Sequence, residues 1–417
     1  MKKYLLSAAV VGIALTGCVN DEAVDNIQQE KQRITFDSPV SYSNSDSRAN
    51  YYGEIGNPNN TTNQANIYPT NEKFVVFGVC HTGDFPGWDG AKEIFMGTAT
   101  TDDTDGKNTL SSGVEVVYNS TLNGWEPATD YFWPGGGDKL TFSAYSPADL
   151  KAYATTGQTA SVESGAPTPT VTYGKNGLII QNFKVPTNIP SHFDLLFSQR
   201  TYNQTVNGGN GTYNGVPIVF QHALASIKFE LSTTSERTIT LKRLELKNIR
   251  SEGDFKESIH NTDNDIDKYQ ATPAWENYDK VQDFVVSTEN VHFKGANRNS
   301  FHSDILMLPQ NLNDFNLNST DYTPTLHVEF TIDDNTVPET RDIKLYGLDV
   351  LDATSSGTAT AAEPTKITKW DMGVRYVYLL HFGDDKILFA PSAQEWKEVK
   401  YIYIDLGKET NNTGVNP

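Results

Sequence analysis

Short apolar runs of β type, separated by clusters of Gly, Pro, Asp and Asn, recur along most of the chain. The runs are too short for ordinary amphipathic helices and are rich in Val, Ile, Phe, Tyr and Thr, the residues that favour strands. The 20 Tyr and 20 Phe residues add to this preference. Strands at this spacing, with turn signals between them, are typical of β-sandwiches. The sequence therefore predicts an all-β fold.

The predicted strands fall into two series. The first series comprises residues 74–80, 114–118, 125–131, 139–145, 170–173, 178–183 and 194–197. The second comprises residues 216–220, 225–231, 238–246, 281–287, 305–309, 325–332, 341–346, 376–382, 386–389 and 399–406. A polar, Gly- and Asn-rich break at 201–215 separates them, and 417 residues exceed the usual size of one domain. We expect two sandwiches in tandem, over 34–205 and 216–417.

The first 17 residues have the pattern of an export signal. Two lysines precede an apolar run over 5–15, which is too short to span a bilayer as a helix, since that takes about 20 residues. The order Leu-Thr-Gly-Cys at 15–18 resembles the lipobox of bacterial lipoproteins. That resemblance implies that residues 1–17 are removed and that Cys18 carries lipid. An ordinary secreted protein with a chance Cys near its cleavage site is the alternative.

The residues after Cys18 predict a tether. Residues 18–33 are polar and acidic, which is typical of a flexible linker. Asp21 and Glu22 also resemble the surface-export signal of Bacteroidetes lipoproteins. We therefore expect a lipoprotein on the outer surface of the outer membrane.

Charge and cysteine content argue against a nucleic-acid-binding protein and against one stabilised by internal disulfides. The net charge of −19 argues against nucleic acid as a partner, because a phosphate binder needs a basic surface. Only two Cys are present, and with Cys18 used for the anchor, Cys80 has no partner for an internal disulfide. Cys80 ends a β-type run, which favours a small buried side chain over a reactive thiol.

No pattern of catalytic or cofactor-binding residues stands out. The Gly-rich stretch at 133–139 lacks P-loop spacing and predicts a turn. The acidic stretches at 101–106 and 263–267 lack the ligand spacing of a calcium loop and are interpreted as turns, with weak calcium binding as the alternative. The eight His show no zinc spacing, and His222 is interpreted as a hydrogen-bonded core residue. We predict neither an enzyme nor a cofactor.

Several segments resemble the fimbrillin family of Bacteroidetes. In chain order they are Phe-Trp-Pro at 132–134, Leu-Thr-Phe-Ser-Ala-Tyr-Ser-Pro at 140–147, Asp-Leu-Leu-Phe at 194–197, Phe-Gln-His-Ala-Leu-Ala at 220–225, Trp-Asp-Met-Gly at 370–373, Tyr-Val-Tyr at 376–378, and Ile-Leu-Phe-Ala-Pro at 387–391 with Trp396. The resemblance implies two transthyretin-like β-sandwich domains and a role as a subunit of a type V surface pilus. Other pilus subunits and a host or microbial surface ligand are the implied partners.

The family resemblance also implies assembly by proteolysis and strand exchange. Residues 34–40 alternate, so that Ile34, Phe36 and Val40 share one face of a predicted first strand. A trypsin-like protease is expected to cut after Arg48, in the polar stretch 41–71, and to release this strand. Arg33 is the alternative cleavage site, but a cut there would leave the strand in place.

The last predicted strand is the candidate donor. Ile402, Ile404 and Leu406 alternate on one face of residues 399–406. An apolar groove left by the first strand would favour such a replacement. The alternative is that this strand simply completes its own domain and that Arg48 is an ordinary loop residue.

A second function class stays open at this point. Exposed aromatic side chains on β-sandwiches can stack on sugar rings, and Trp88 in Phe-Pro-Gly-Trp at 85–88 is the candidate platform. The alternative function is therefore a surface glycan-binding lipoprotein. Trp88 could equally pack against its own turn.

Overall fold

The fold was taken from a computed structural model of the chain. It describes residues 32–37, 40–41, 68, 70–85, 87–88, 93–99, 109–150, 168–198, 200–206, 215–233, 235–257, 272–295, 299–313, 323–351, 365–382 and 399–405. These residues are nearly all in strands or the turns that join them, which confirms the all-β prediction. No helix in these ranges is long and apolar enough to cross a membrane.

The strands of the first half and the start of the second are β1 (Val40–Ser41), β2 (Phe74–Thr82), β3 (Glu93–Met96), β4 (Thr98–Ala99), β5 (Leu110–Ser112), β6 (Val114–Asn119), β7 (Gly124–Pro127), β8 (Asp138–Ser146), β9 (Thr170–Gly174), β10 (Gly177–Lys184), β11 (Leu196–Ser198), β12 (Thr201–Gln204) and β13 (Val219–His222). A 3₁₀ turn at Ile189–Ser191 lies between β10 and β11.

The remaining strands are β14 (Ala225–Thr233), β15 (Ile239–Lys256), β16 (Ala274–Ser287), β17 (Val291–Phe293), β18 (Asn299–Met307), β19 (Gln310–Asn311), β20 (Thr325–Ile332), β21 (Glu339–Lys344), β22 (Asp349–Leu351), β23 (Thr365–Lys366), β24 (Lys369–Trp370), β25 (Arg375–Phe382) and β26 (Val399–Asp405).

The first sheet is built from strands of the N-terminal half together with β13, which follows the predicted break. Its strands lie in the order β1-β13-β11-β8-β2-β6-β7, with β12 paired to β8 and β3 paired to β2. One face covers a compact aromatic core that includes Phe74, Trp125, Phe142 and Phe220, all fully buried. The strands of this sheet form because bulky side chains alternate onto that core.

The second sheet crosses from one half of the chain to the other. Its order is β21-β20-β15-β10-β9-β5-β4, with β16 and β17 also paired to β15. Strands β9 and β10 come from the N-terminal half, and β10 pairs antiparallel with the C-terminal end of β15. The two halves therefore share main-chain hydrogen bonds as well as a core.

The third sheet has the order β18-β14-β25-β26-β22-β23 and packs against the second. Phe330 of β20 and Phe382 of β25 meet edge to face at 5.0 Å between ring centroids. Between the first and second sheets, Phe77 of β2 stacks on Tyr173 of β9 at 5.1 Å. One large hydrophobic cluster thus runs through both halves.

Polar contacts reinforce the junction between the halves. His192 follows the 3₁₀ turn and is half-buried, and desolvation of its ring lowers its pKa from 6.5 to about 4. The neutral ring accepts from the Leu306 amide at 3.2 Å and donates to the Pro186 carbonyl at 2.8 Å. Glu257, at the end of β15, accepts from the Leu178 amide at 2.9 Å, and burial raises its pKa.

Some strand boundaries differ from those predicted. Residues 201–204, expected to begin the polar break, form β12 and pair with β8. Strand β15 continues ten residues beyond 246, because residues 249–256 alternate between buried and half-buried although few of them are apolar. The predicted strand at 386–389 lies outside the described residues. The division into domains at 205 and 216 stays a prediction.

Candidate functional site

The two ends of the first sheet are joined by the beginning of the described chain. We call residues 32–41, of which 32–37 and 40–41 are described, the closing segment. Phe36 pairs antiparallel with Trp125 of β7 on one side and parallel with Val216, just before β13, on the other. We call the gap between β7 and residues 216–222, which this segment fills, the seam.

Backbone hydrogen bonds hold the closing segment on both sides of the seam. On the β7 side, the amides of Ile34 and Phe36 each donate at 2.8 Å, to Tyr131 and Trp125 respectively. On the other side, Asp37 donates to Val216 at 3.0 Å and Val216 donates back to Thr35 at 2.8 Å. These bonds are followed by β1, whose two residues pair parallel with Val219 and Phe220. The closing segment thus takes the place of a strand in the sheet, with a hydrogen-bonded neighbour on each side.

The inward side chains of the closing segment are part of the aromatic core. Ile34 and Phe36 are each 1% exposed, whereas Asp37 is exposed. The Phe36 ring meets Phe74 at 6.0 Å and Phe142 at 5.7 Å, both edge to face. The predicted alternation of this strand is therefore present in the structure for Ile34 and Phe36. Truncating a buried Phe costs about 3–5 kcal/mol, so the closing segment contributes substantially to the free energy of unfolding.

A glycine lets the closing segment approach its parallel neighbour. Gly215 has φ +111°, and a Cβ added there would lie 2.4 Å from the Asp37 amide nitrogen. Any other residue would push the closing segment and the segment around Gly215 apart, and it would also strain its own backbone. Sequence reasoning missed this position, because it placed Gly215 in a polar break.

An ion-pair cluster marks the outer start of the closing segment. The Arg33 guanidinium lies 2.5 Å from Asp130 and 3.9 Å from Glu126, and its backbone bridges to Phe132. Because both Arg33 and Asp130 are half exposed, each pair contributes at most about 1 kcal/mol. Arg33 is held in a sheet on the folded chain, which makes it a poor extended substrate for a protease.

Tyr68 lies beneath the seam. Its ring is 1% exposed and meets Trp125 at 5.2 Å, Phe220 at 5.6 Å and Phe74 at 5.7 Å. Its hydroxyl donates to the Lys73 carbonyl at 2.8 Å. The sequence shows residues 41–71 only as a polar stretch and does not single out this Tyr.

The candidate donor strand occupies an inner position in the third sheet. Strand β26 pairs parallel with β25 over seven residues and antiparallel with β22 over two. Ile402 and Ile404 are 0% and 3% exposed. In this chain β26 therefore completes its own sheet, and a donor role would require it to leave that place.

Other residues singled out from the sequence lie in different places. Val40 is in β1, while Cys18, Arg48, Leu406 and the two acidic stretches lie outside the described residues. The Gly-rich stretch at 133–139 forms the turn into β8, as predicted, with positive φ at two of its glycines. His222 is buried with its Nδ1 atom 2.5 Å from Asp194, which confirms the core interpretation. Within the described ranges, no group of three His, Cys, Asp or Glu could hold a metal.

The prediction that Trp88 is an exposed platform for sugars is wrong. Only 6% of its surface is exposed, and its ring meets Tyr173 edge to face at 5.3 Å. The guanidinium of Arg200 lies 5.8 Å from the Trp88 ring and donates to the Tyr173 hydroxyl at 2.5 Å. Trp88 is therefore one wall of a buried aromatic cage around Arg200.

Comparison with protein families decides the relationship. The sequence profile described as fimbrillin-like matches residues 82–396, about three quarters of the chain. The chain belongs to the fimbrillin-like family. No curated protein matches this fimbrillin-like protein in sequence.

Solved structures similar to this fimbrillin-like protein include a fimbrial protein from Bacteroides vulgatus, with 17% identity, 84% of this chain and 95% of that chain covered, and a TM-score of 0.45. Another is the tip fimbrial protein Mfa3 from Porphyromonas gingivalis, with 11% identity, 74% of this chain and 88% of that chain covered, and a TM-score of 0.27.

Proposed function

We propose that this fimbrillin-like protein is a structural or accessory subunit of a surface fimbria that serves adhesion. Family membership supports a fimbrial and non-enzymatic role. The lipobox-like sequence supports export, loss of residues 1–17 and anchorage of Cys18 to the outer membrane. Other fimbrial subunits, a processing protease and a surface ligand are the proposed partners.

We further propose that the subunit assembles by cleavage after Arg48 and exchange of a strand at the seam. The observation that carries this proposal is that the closing segment, with Ile34 and Phe36 in the core, lies wholly before Arg48 in the chain. A cut there would allow the closing segment to leave. Its loss would leave the seam as an apolar slot with unpaired backbone groups on both sides. Each side chain lost from the core is worth about 1.5–3 kcal/mol, so the slot strongly favours a replacement strand.

Strand β26 is the proposed replacement. Its buried pair, Ile402 and Ile404, has the two-residue spacing of Ile34 and Phe36. It also already lies between one parallel and one antiparallel neighbour, as the closing segment does. A donated β26 would therefore reproduce the pairing of the strand it replaces.

The test follows polymer formation after treatment with a trypsin-like protease. Wild type should give protease-dependent polymers, and Arg48→Lys should behave like it, because such enzymes also cut after Lys. Arg48→Ala and a chain truncated after Lys400 should stay monomeric. Circular dichroism must show that each is folded, because the truncation also removes β26 from its own sheet. Equal polymerisation of all four chains would contradict strand exchange.

Anchorage is tested separately with Cys18→Ala. The variant precursor should take up no labelled fatty acid and should leave the membrane fraction. Continued labelling of the variant would contradict the lipoprotein assignment without bearing on the seam.

A further inference from the structure

The width of the seam depends on what fills it. Among the described strands, β7 is at one end of the sheet order, β13 lies next to β1 at the other end, and β7 and β13 are not paired with each other. With the closing segment between them they stand two strand spacings apart, about 9.5 Å. Once that segment leaves, no described main-chain bond between β7 and β13 fixes their separation.

Tyr68 contacts both walls of the seam from the core side. Its ring lies 5.2 Å from Trp125, the β7 residue that pairs with Phe36, and 5.6 Å from Phe220, the β13 residue that pairs with Ser41. A ring wedged between the walls sets their spacing through packing.

The hydroxyl of Tyr68 fixes that ring to the middle of the sheet. It donates to the Lys73 carbonyl and, with its proton used there, accepts from the Ser146 hydroxyl at 2.7 Å. Lys73 immediately precedes β2 and Ser146 ends β8, so the ring is held by strands that border neither wall.

The position of Tyr68 in the sequence separates it from the closing segment. It lies 20 residues after Arg48, and so it stays with the folded body when the chain before Ala49 is cut away. The two groups that occupy the seam region, the closing segment and Tyr68, therefore part at the proposed cleavage.

We infer that Tyr68 is a positioning residue that holds the emptied seam at the width of one strand, ready for a replacement. This inference rests on the proposed strand exchange. A slot kept at the correct width loses less conformational freedom when a strand enters, so binding is faster and tighter. Without the wedge, the walls close on each other or drift apart.

The experiment uses an engineered cut, so that it does not depend on cleavage at Arg48. In the full mature chain, residues 47–50 are replaced by the recognition sequence of a site-specific protease. The chain is cut, the released segment is removed in mild denaturant, and the protein is returned to buffer. Binding of a synthetic peptide with the sequence of residues 32–41 is then measured by stopped-flow fluorescence.

Two matched pairs of variants separate positioning from general stability. Tyr68→Leu removes the wedge and Tyr68→Phe removes only its hydroxyl. Tyr118 serves as the control, because its ring meets the same Trp125 at 5.5 Å and its hydroxyl donates to Asn123. Among the described residues, its ring meets no aromatic ring of the far wall, residues 216–222. The control variants are Tyr118→Leu and Tyr118→Phe.

We expect Tyr68→Leu to bind the peptide about tenfold more weakly than wild type, mainly through slower association. Tyr118→Leu should stay within about twofold, although both Leu variants lower the melting temperature of the uncut protein. If Tyr68→Leu does not fold, the comparison uses the Phe variants, of which Tyr68→Phe should bind about threefold more weakly than Tyr118→Phe.

Three results would overturn the inference: equal effects in the Tyr68 and Tyr118 pairs, unchanged binding by Tyr68→Leu, or no binding by the cut wild-type chain. Failure of the proposed strand exchange is seen elsewhere, as equal polymerisation of wild type, Arg48→Lys, Arg48→Ala and the chain truncated after Lys400. The two failures are therefore distinguishable.

Discussion

The closing segment and β26 come from opposite ends of the described chain and fill similar places. Each lies parallel to one neighbour and antiparallel to another, and each buries two alternating side chains. They differ in how continuous their pairing is. Strand β26 keeps an unbroken seven-residue register with β25, whereas the closing segment pairs through bridges at single residues and the two-residue β1.

This difference shows which strand the chain can more easily give up. A parallel ladder of seven residues must break together, while single bridges can open one at a time. The closing segment is also joined to the body only through residues after Ser41, where one cut frees it. We therefore expect its loss to be tolerated better than the loss of β26.

The largest effect should come from β26. The double variant Ile402→Ala and Ile404→Ala removes two buried side chains, and each truncation costs about 2–5 kcal/mol. Denaturant unfolding should show a loss of at least about 4 kcal/mol. A loss of less than about 1 kcal/mol would mean that β26 is not held in its sheet in solution, and the comparison would break.

Phe36→Ala should be the next most harmful change. In the intact chain it should lower the free energy of unfolding by about 3–5 kcal/mol, because the ring is fully buried against Phe74 and Phe142. After an engineered cut at 47–50 and removal of the released segment, wild type and variant should unfold alike. A difference that persists would show that the segment had not left.

Acid should lower the free energy of unfolding through His192, at the junction between the halves, and not through the closing segment or β26. The pKa of His192 is about 4 when folded and 6.5 when free, so below pH 6.5 the unfolded chain takes up a proton that the folded chain refuses. Stability falls as pH drops from 6.5 to about 4, by about 3 kcal/mol. His192→Gln should lose this part of the pH dependence in urea titrations. An identical pH profile for both chains would contradict the assignment.

Arg33→Ala should have the smallest effect. Its ion pairs to Asp130 and Glu126 are partly exposed, so unfolding should change by less than about 1 kcal/mol and the change should vanish in high salt. Asp130→Ala is the matched control. A larger, salt-independent loss would mean that Arg33 holds the closing segment more firmly than its exposure indicates.

Local pattern was enough to predict part of the seam. The two-residue alternation at 34–36 predicted which side chains are buried, because a strand with one covered face must alternate. It was not enough for Gly215 or Tyr68. The role of Gly215 depends on how closely the distant residues 36–37 approach it. The role of Tyr68 depends on two walls whose contact residues, Trp125 and Phe220, are 95 residues apart in the sequence.

The sequence by itself determined that the chain is all β, that residues 34 and 36 face a core, and that the family is fimbrillin-like. Those properties follow from side-chain periodicity, turn residues and short ordered motifs, all of which are local. Only the tertiary structure decided that β10 pairs with β15 across the two halves, that β26 fills its own third sheet, and that Trp88 is buried. Strand neighbours are chosen by packing between residues far apart in the chain, and no single segment carries that information.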